Sequence, residues 1–217
     1  MAETEIATIE CADLTQRELQ SLIGAIEPGV HTALTGFQSD WNGVAAGVSL
    51  EGTLVAQNSV GDFAATLGDI ENFEIAGDAG DSLCHSFRGG RTLVRGRAGN
   101  YVAAYANGGF VIVHATAGFR CGFRLSGADV FVRGTVGDEA GAQMSDGVLV
   151  LGNGAGKETG RGMTGGTIYA RGEVESFASH VKPIRMKDAD SMRLSLLLAR
   201  AGVKGGVIKE FKAYRPR

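Results

Sequence analysis

The sequence predicts an all-β fold: a parallel β-helix of 19-residue coils with short flanking helices. Three observations carry that expectation. Gly61, Gly80, Gly99, Gly118, Gly137 and Gly156 recur at a spacing of 19 through the middle of the chain. Apolar columns keep the same register: Ala56, Ile75, Val94, Val113, Val132 and Leu151 stand five residues before those glycines, and Leu54, Phe73, Thr92, Val111, Val130 and Leu149 two further back. Glycine is also abundant, 34 of 217 residues with only 3 prolines, a composition of many tight turns rather than of collagen or a Pro-rich linker.

The chain divides by pattern into a capping segment, 1–52, a repeat, 53–175, and a tail, 176–217. Met1-Ala-Glu-Thr-Glu5 is acidic with no apolar run behind it, unlike a signal peptide. Thr15 and Glu18 form a capping box, and Leu19, Leu22, Ile23 and Ile26 follow at helical spacing. This predicts a helix over 16–26, stopped by Pro28-Gly29. Strand-like pieces around Val44–Leu50 suggest an irregular first coil over 30–52. Rows of 19 then run Asn72–Gly90, Arg91–Gly109, Phe110–Ala128, Asp129–Gly147 and Val148–Gly166, preceded by a looser row, Thr53–Glu71, whose Leu67-Gly68 lacks the usual Gly-Gly end and leaves the register of 50–70 open.

Each row holds a short alternating apolar run, such as Val130-Phe131-Val132, which reads as a strand of three or four residues before a glycine turn. Nineteen residues are too few for a strand–helix–strand unit, whose crossover alone needs a dozen or more, so the rows must stack on one another as coils about 4.8 Å apart. The column glycines fit corners needing positive φ or close approach between coils, and Gly165-Gly166 closes the last full row. Asp188, Asp190 and Ser191 open a second helix, with Leu194, Leu197, Leu198 and Ala201 on one face and Gly202 as its stop. Val207–Arg217 reads as extended.

A net charge of −3 gives no support to nucleic-acid binding, and no apolar run is long enough to span a membrane, so a cytoplasmic protein is expected. Cys11, Cys84 and Cys121 are widely spaced, as reduced thiols rather than a disulfide or cluster framework. Cys84 shares a repeat position with Ala103, Gly122 and Gly141, a small interior column rather than a nucleophile site. His31, His85, His114 and His180 make no metal-binding spacing, and Gly152-Asn-Gly154-Ala-Gly156 lacks the Lys-Ser/Thr of a phosphate loop. No catalytic, cofactor-binding or metal-binding residue is assigned.

One column is suggestive. Arg95, His114, Arg133 and Arg171 share a repeat position that alternation points outward, interrupted by Gly152. Stacked cations repel unless acids or a partner neutralise them, so the column is either an interface or anion-facing strip, or a solvated face with local ion pairs. From Lys182 onward 10 Lys/Arg stand against 3 Asp/Glu. This basic tail either docks on an acidic partner or folds over its own acidic body.

Gly99-Asn-Tyr-Val-Ala-Ala-Tyr-Ala-Asn-Gly-Gly109 and, above all, Gly160-Arg-Gly-Met-Thr-Gly-Gly-Thr-Ile-Tyr169 resemble the GXGXG domain at the C-terminus of the glutamate synthase large subunit. The resemblance spans about residues 50–175 and implies a right-handed β-helix with a structural role. It places catalytic residues, FMN and an iron–sulfur cluster in partner subunits, one amidotransferase-like and one synthase-like. The length and flanks look most like a stand-alone subunit of N-methylglutamate synthase, which makes N-methylglutamate and ammonia from glutamate and methylamine. The alternative is the C subunit of a formylmethanofuran dehydrogenase-like or formyltransferase/hydrolase complex. An independent polysaccharide-cleaving β-helix enzyme fits poorly. The resemblance transfers only the repeat glycines, Gly61, Gly80, Gly99, Gly118, Gly137, Gly156, Gly165 and Gly166, as fold determinants; the contacts expected with partners are the basic tail and the strip of Arg95, His114, Arg133 and Arg171.

Overall fold

The computed structural model describes residues 6–203 and 207–217; the acidic Met1–Glu5 run lies outside the described residues. Among the described residues eleven strands form one sheet. They are β1 (Ile6–Glu10), β2 (His31–Thr35), β3 (Ser49–Ala56), β4 (Asp69–Ile75), β5 (Gly89–Val94), β6 (Phe110–Val113), β7 (Ser126–Val132), β8 (Asp146–Leu151), β9 (Thr167–Ala170), β10 (Val181–Ile184) and β11 (Lys212–Pro216). The helices are α1 (Gln16–Gly24) and α2 (Asp188–Arg200). From β1 to β9 each strand pairs in parallel with the next, giving a parallel β-solenoid of about 7 turns.

The 19-residue columns are the stacking register: Leu54 pairs with Phe73, Thr92 with Val111, Val111 with Val130 and Val130 with Leu149. Strands run from 4 to 8 residues; β6, β9 and β10 keep the expected four, and the others are longer than the apolar runs indicated. The region of 30–52 is the irregular coil expected: β2 pairs in parallel with β3, but His31 meets Thr53 and Leu34 meets Ala56, an offset of 22 residues rather than 19. The looser row keeps the 19-residue register at Leu54 and Phe73, and absorbs one extra residue in a shift between Leu50 and Thr53. β1 carries no sequence signal that singled it out.

Each coil touches its neighbours along three lines. The strands form the first. The small residues before the column glycines form the second, single bridges linking Val60, Ala79, Ala98, Ala117, Val136, Ala155 and Val174. The third is a run of turns in which every other residue is left-handed: Phe63, Ala65 and Leu67; Ser82, Cys84 and Ser86; Tyr101, Ala103 and Tyr105; Arg120, Gly122 and Arg124; Glu139, Gly141 and Gln143. Alternation reverses successive peptides, so N–H groups point up and down the stack by turns. Tyr101 N–H donates to the Phe119 carbonyl in the following coil, and Ala103 N–H to the Leu83 carbonyl in the preceding one. Inter-coil hydrogen bonds offset the cost of holding non-glycine residues at positive φ, about 1–2 kcal/mol each.

The column glycines are not among the left-handed residues. Close approach explains them: a Cβ on Gly99 would lie 2.8 Å from the Asp81 nitrogen and the Gly80 carbonyl carbon of the preceding coil. Positive φ belongs to the row ends, as at Gly109, φ +79°, where a side chain would also strike the Phe87 ring. Next to the column glycines runs a ladder that pattern reading missed. Asn42, Asp62, Asp81, Asn100 and Asp138 each accept, through Oδ1, the backbone N–H of the matching residue one coil on, at 2.7–3.0 Å.

The main core fills the solenoid and is closed at its first end by Leu19 and Ile23 of α1. That helix begins at Thr15 with the expected capping box and ends at Gly24, short of the expected Ile26. A second core lies on the outer face of the sheet, where Leu93, Ile112, Phe131, Val150 and Tyr169 are covered by Leu194, Leu197, Leu198 and Ala201 of α2 and by Phe211 and Ala213. Burying each of those leucines stabilises the fold by about 1.5–3 kcal/mol. The tail, expected to be extended throughout, contains a 3-10 turn at Ile208–Glu210 before β11 enters antiparallel between β9 and β10.

Candidate functional site

The basic tail folds onto its own body. Arg193 of α2 reaches Asp129 at 3.0 Å, Arg215 of β11 pairs with Asp190, and Arg171 pairs with Glu210 at 3.3 Å. Asp190 also accepts the Lys187 N–H at the start of α2, at 2.9 Å. That bond, with Arg215 beside it, holds the carboxyl below its ordinary range despite burial. The Tyr169 hydroxyl is pushed up by burial and by the Asp190 charge. These groups clamp the tail over the last coils.

The expected strip divides. Arg171 belongs to the clamp: its Nε donates to the Gly152 carbonyl at 2.7 Å, and its guanidinium lies over Phe211. Gly152 interrupts the column because a side chain there would meet the Arg133 and Val132 carbonyls at 2.7 Å. Arg95, His114 and Arg133 remain together on three successive coils at the flank of the sheet. Arg95 is half-exposed and pairs with Glu74 at 3.1 Å. Arg133 is exposed and makes no ion pair among the described residues. His114 is half-buried beside the Ala201 carbonyl at the end of α2, and its pKa is lowered, first by burial and then by Arg133, Arg95 and Arg91.

The cysteines are all buried. Burial pushes the thiols of Cys84 and Cys121 up to about 12, far from the thiolate a nucleophile needs. Among the described residues no group of three or more His, Cys, Asp or Glu side chains is placed to hold a metal ion, and no helix is long and apolar enough to cross a membrane.

A second face went unrecognised in the sequence. The outward left-handed positions of four successive coils carry Phe63 and Leu67, then Ser82 and Ser86, then Tyr101 and Tyr105, then Arg120 and Arg124. Phe119 and Phe123 lie between them, with the Tyr101 ring edge-on to both, at 5.1 and 6.0 Å, and Tyr105 edge-on to Phe123 at 5.5 Å. Arg120 sits over Phe119 at 4.8 Å and pairs with Glu139 at 2.7 Å. The available signal was the i, i+4 pairing of Tyr101 with Tyr105 and of Phe119 with Phe123, one row apart; a strand-and-glycine pattern gives no reason to place those positions outward.

A family model described as GXGXG motif matches residues 45–193. The chain belongs to the GXGXG-motif family. The match covers more than two thirds of the chain, extends from the first left-handed turn into α2, and relates this GXGXG solenoid to the C-terminal domain of glutamate synthase. No curated protein matches the chain.

Proposed function

We propose that this GXGXG protein is a non-catalytic scaffold subunit of a glutamate-synthase-like enzyme, holding an amidotransferase-like subunit against a synthase-like subunit that carries FMN and an iron–sulfur cluster. The observation that carries the reading is the GXGXG match over residues 45–193, from the coil of β3 through β9 into α2. The side chains support it. The buried thiols are raised to about 12, and Glu139 and Asp190, whose carboxyls are held below their ordinary range and so ionised, are consumed in structural ion pairs. Within this class the substrate pair we favour is glutamate and methylamine, giving N-methylglutamate and ammonia.

The test is co-expression of the neighbouring subunits with and without this chain. The expected result is that the amidotransferase-like and flavin subunits co-purify, and couple glutaminase-type chemistry to synthesis, only when the chain is present. Two partners that assemble and turn over normally without it would overturn the scaffold role. A partner set without flavin, bearing one-carbon formyl-transfer activity, would replace this reading with the formylmethanofuran-type alternative.

A further inference from the structure

Of the large apolar side chains most exposed on the protein, Phe63 at 49%, Leu67 at 47% and Tyr105 at 41% lie on one face, the outward left-handed positions of the turn ladder. Apolar side chains gathered along one line of the solenoid, on either side of the Ser82 and Ser86 coil, mark an interaction site, whereas Met192 and Leu196 stand apart on α2. The face is rigid: every coil is tied to both neighbours by backbone hydrogen bonds, and the rings of Tyr101, Tyr105 and Phe123 brace one another edge-on. A rigid aromatic surface loses little conformational entropy on binding.

Charge distinguishes what fits. Arg120 and Arg161 both close on Glu139, at 2.7 and 2.9 Å, and are satisfied. Arg124 is not. Its guanidinium rests over Tyr105 and Phe123 at 5.6 and 5.7 Å, and its Nε donates to the neutral Oε1 of Gln143 at 2.7 Å. No carboxylate pairs with it among the described residues. It is a pre-oriented cation within an apolar patch, with N–H donors left over, the arrangement that receives a carboxylate with two parallel hydrogen bonds. His85, packed on Tyr105 at 5.1 Å, has its pKa lowered by burial and adds no second charge at neutral pH. A second copy of the chain fits less well, since a two-fold axis through the patch would set Arg124 against its own counterpart.

We infer that the turn face of Phe63, Leu67, Tyr101, Tyr105, Phe123 and Arg124 docks a partner protein through an apolar surface bearing an aspartate or glutamate that pairs with Arg124. The inference rests on the scaffold reading and adds which face is used and the chemistry that fits it.

The experiment takes the co-purified assembly, maps side-chain oxidation by hydroxyl radicals with and without the partners, and measures reassembly of Arg124→Glu, Tyr105→Glu and, on the sheet flank, Arg133→Glu. We expect Tyr101, Tyr105 and Phe123 to be protected in the assembly. Arg124→Glu and Tyr105→Glu should each weaken reassembly at least tenfold, and Arg133→Glu less than threefold. Should a variant fail to fold, the footprint of the unaltered chain decides. Rings equally oxidised in the free chain and the assembly would overturn the inference while leaving the scaffold reading intact. A chain that gathers no partner overturns both, and rings protected only by self-association assign the face to a second copy instead.

Discussion

Stacking distance makes single atoms decisive in this fold. Gly99 has no room for a Cβ, whereas a Cβ on Gly24, at the end of α1, meets nothing within 4 Å. Gly99→Ala is therefore expected to destabilise the protein by about 1–3 kcal/mol, as overpacking does. Gly24→Ala should be neutral or stabilising by up to about 1 kcal/mol through helix propensity; urea midpoints of the two variants check the pair. Asp81 accepts the Asn100 N–H at 2.7 Å and its side-chain amide at 3.2 Å. Asp81→Ala leaves a backbone donor unpaired between coils and should cost about 1–3 kcal/mol, with Asp81→Asn, which keeps the acceptor, costing less. His85 and His114 have lowered pKa values, so the unfolded chain binds their protons more readily. Stability should fall as pH drops through the ordinary histidine value of about 6.5 toward the lower folded-state values, and a His85→Gln, His114→Gln double variant should flatten the slope in that window. Equal slopes in the two proteins would show that other groups set it.

At the scale of elements, legibility followed periodicity. The stacked strands, the small-residue bridges and both helices were readable because each buries a column or stripe that recurs in the sequence. The left-handed turn ladder was not, because Tyr101, Arg120 and Glu139 are residues that no local rule assigns to positive φ; inter-coil hydrogen bonds override their preference. Of the two reasons offered for the column glycines, close approach is the one the stacked coils require. The strip of Arg95, His114, Arg133 and Arg171 was legible as a column but not its division, since Glu210, which claims Arg171, lies 39 residues away along the chain. The outer face of the sheet turns apolar at Leu93 and stays so through Tyr169, and that is the stretch α2 and the tail cover. Leu197→Ala, in the middle of that contact, should destabilise by about 2–5 kcal/mol. Thermal unfolding checks it, and a change below about 1 kcal/mol would mean that α2 is only loosely applied to the sheet.

The whole molecule is a rod of near-identical coils closed at one end by α1 and sealed at the other by its own basic tail, with an aromatic face left open along the turns. Arg171, Arg193 and Arg215 are spent in ion pairs within the chain, while the apolar turn face stays open to a partner. The central claim is that this GXGXG solenoid works as a part of a larger flavin-containing enzyme. The most direct test is the native mass and ultraviolet–visible spectrum of the protein isolated by a tag from its own cell. The account predicts an assembly several times the 22.5 kDa of the chain, with flavin and broad iron–sulfur absorbance. A colourless monomer would contradict it.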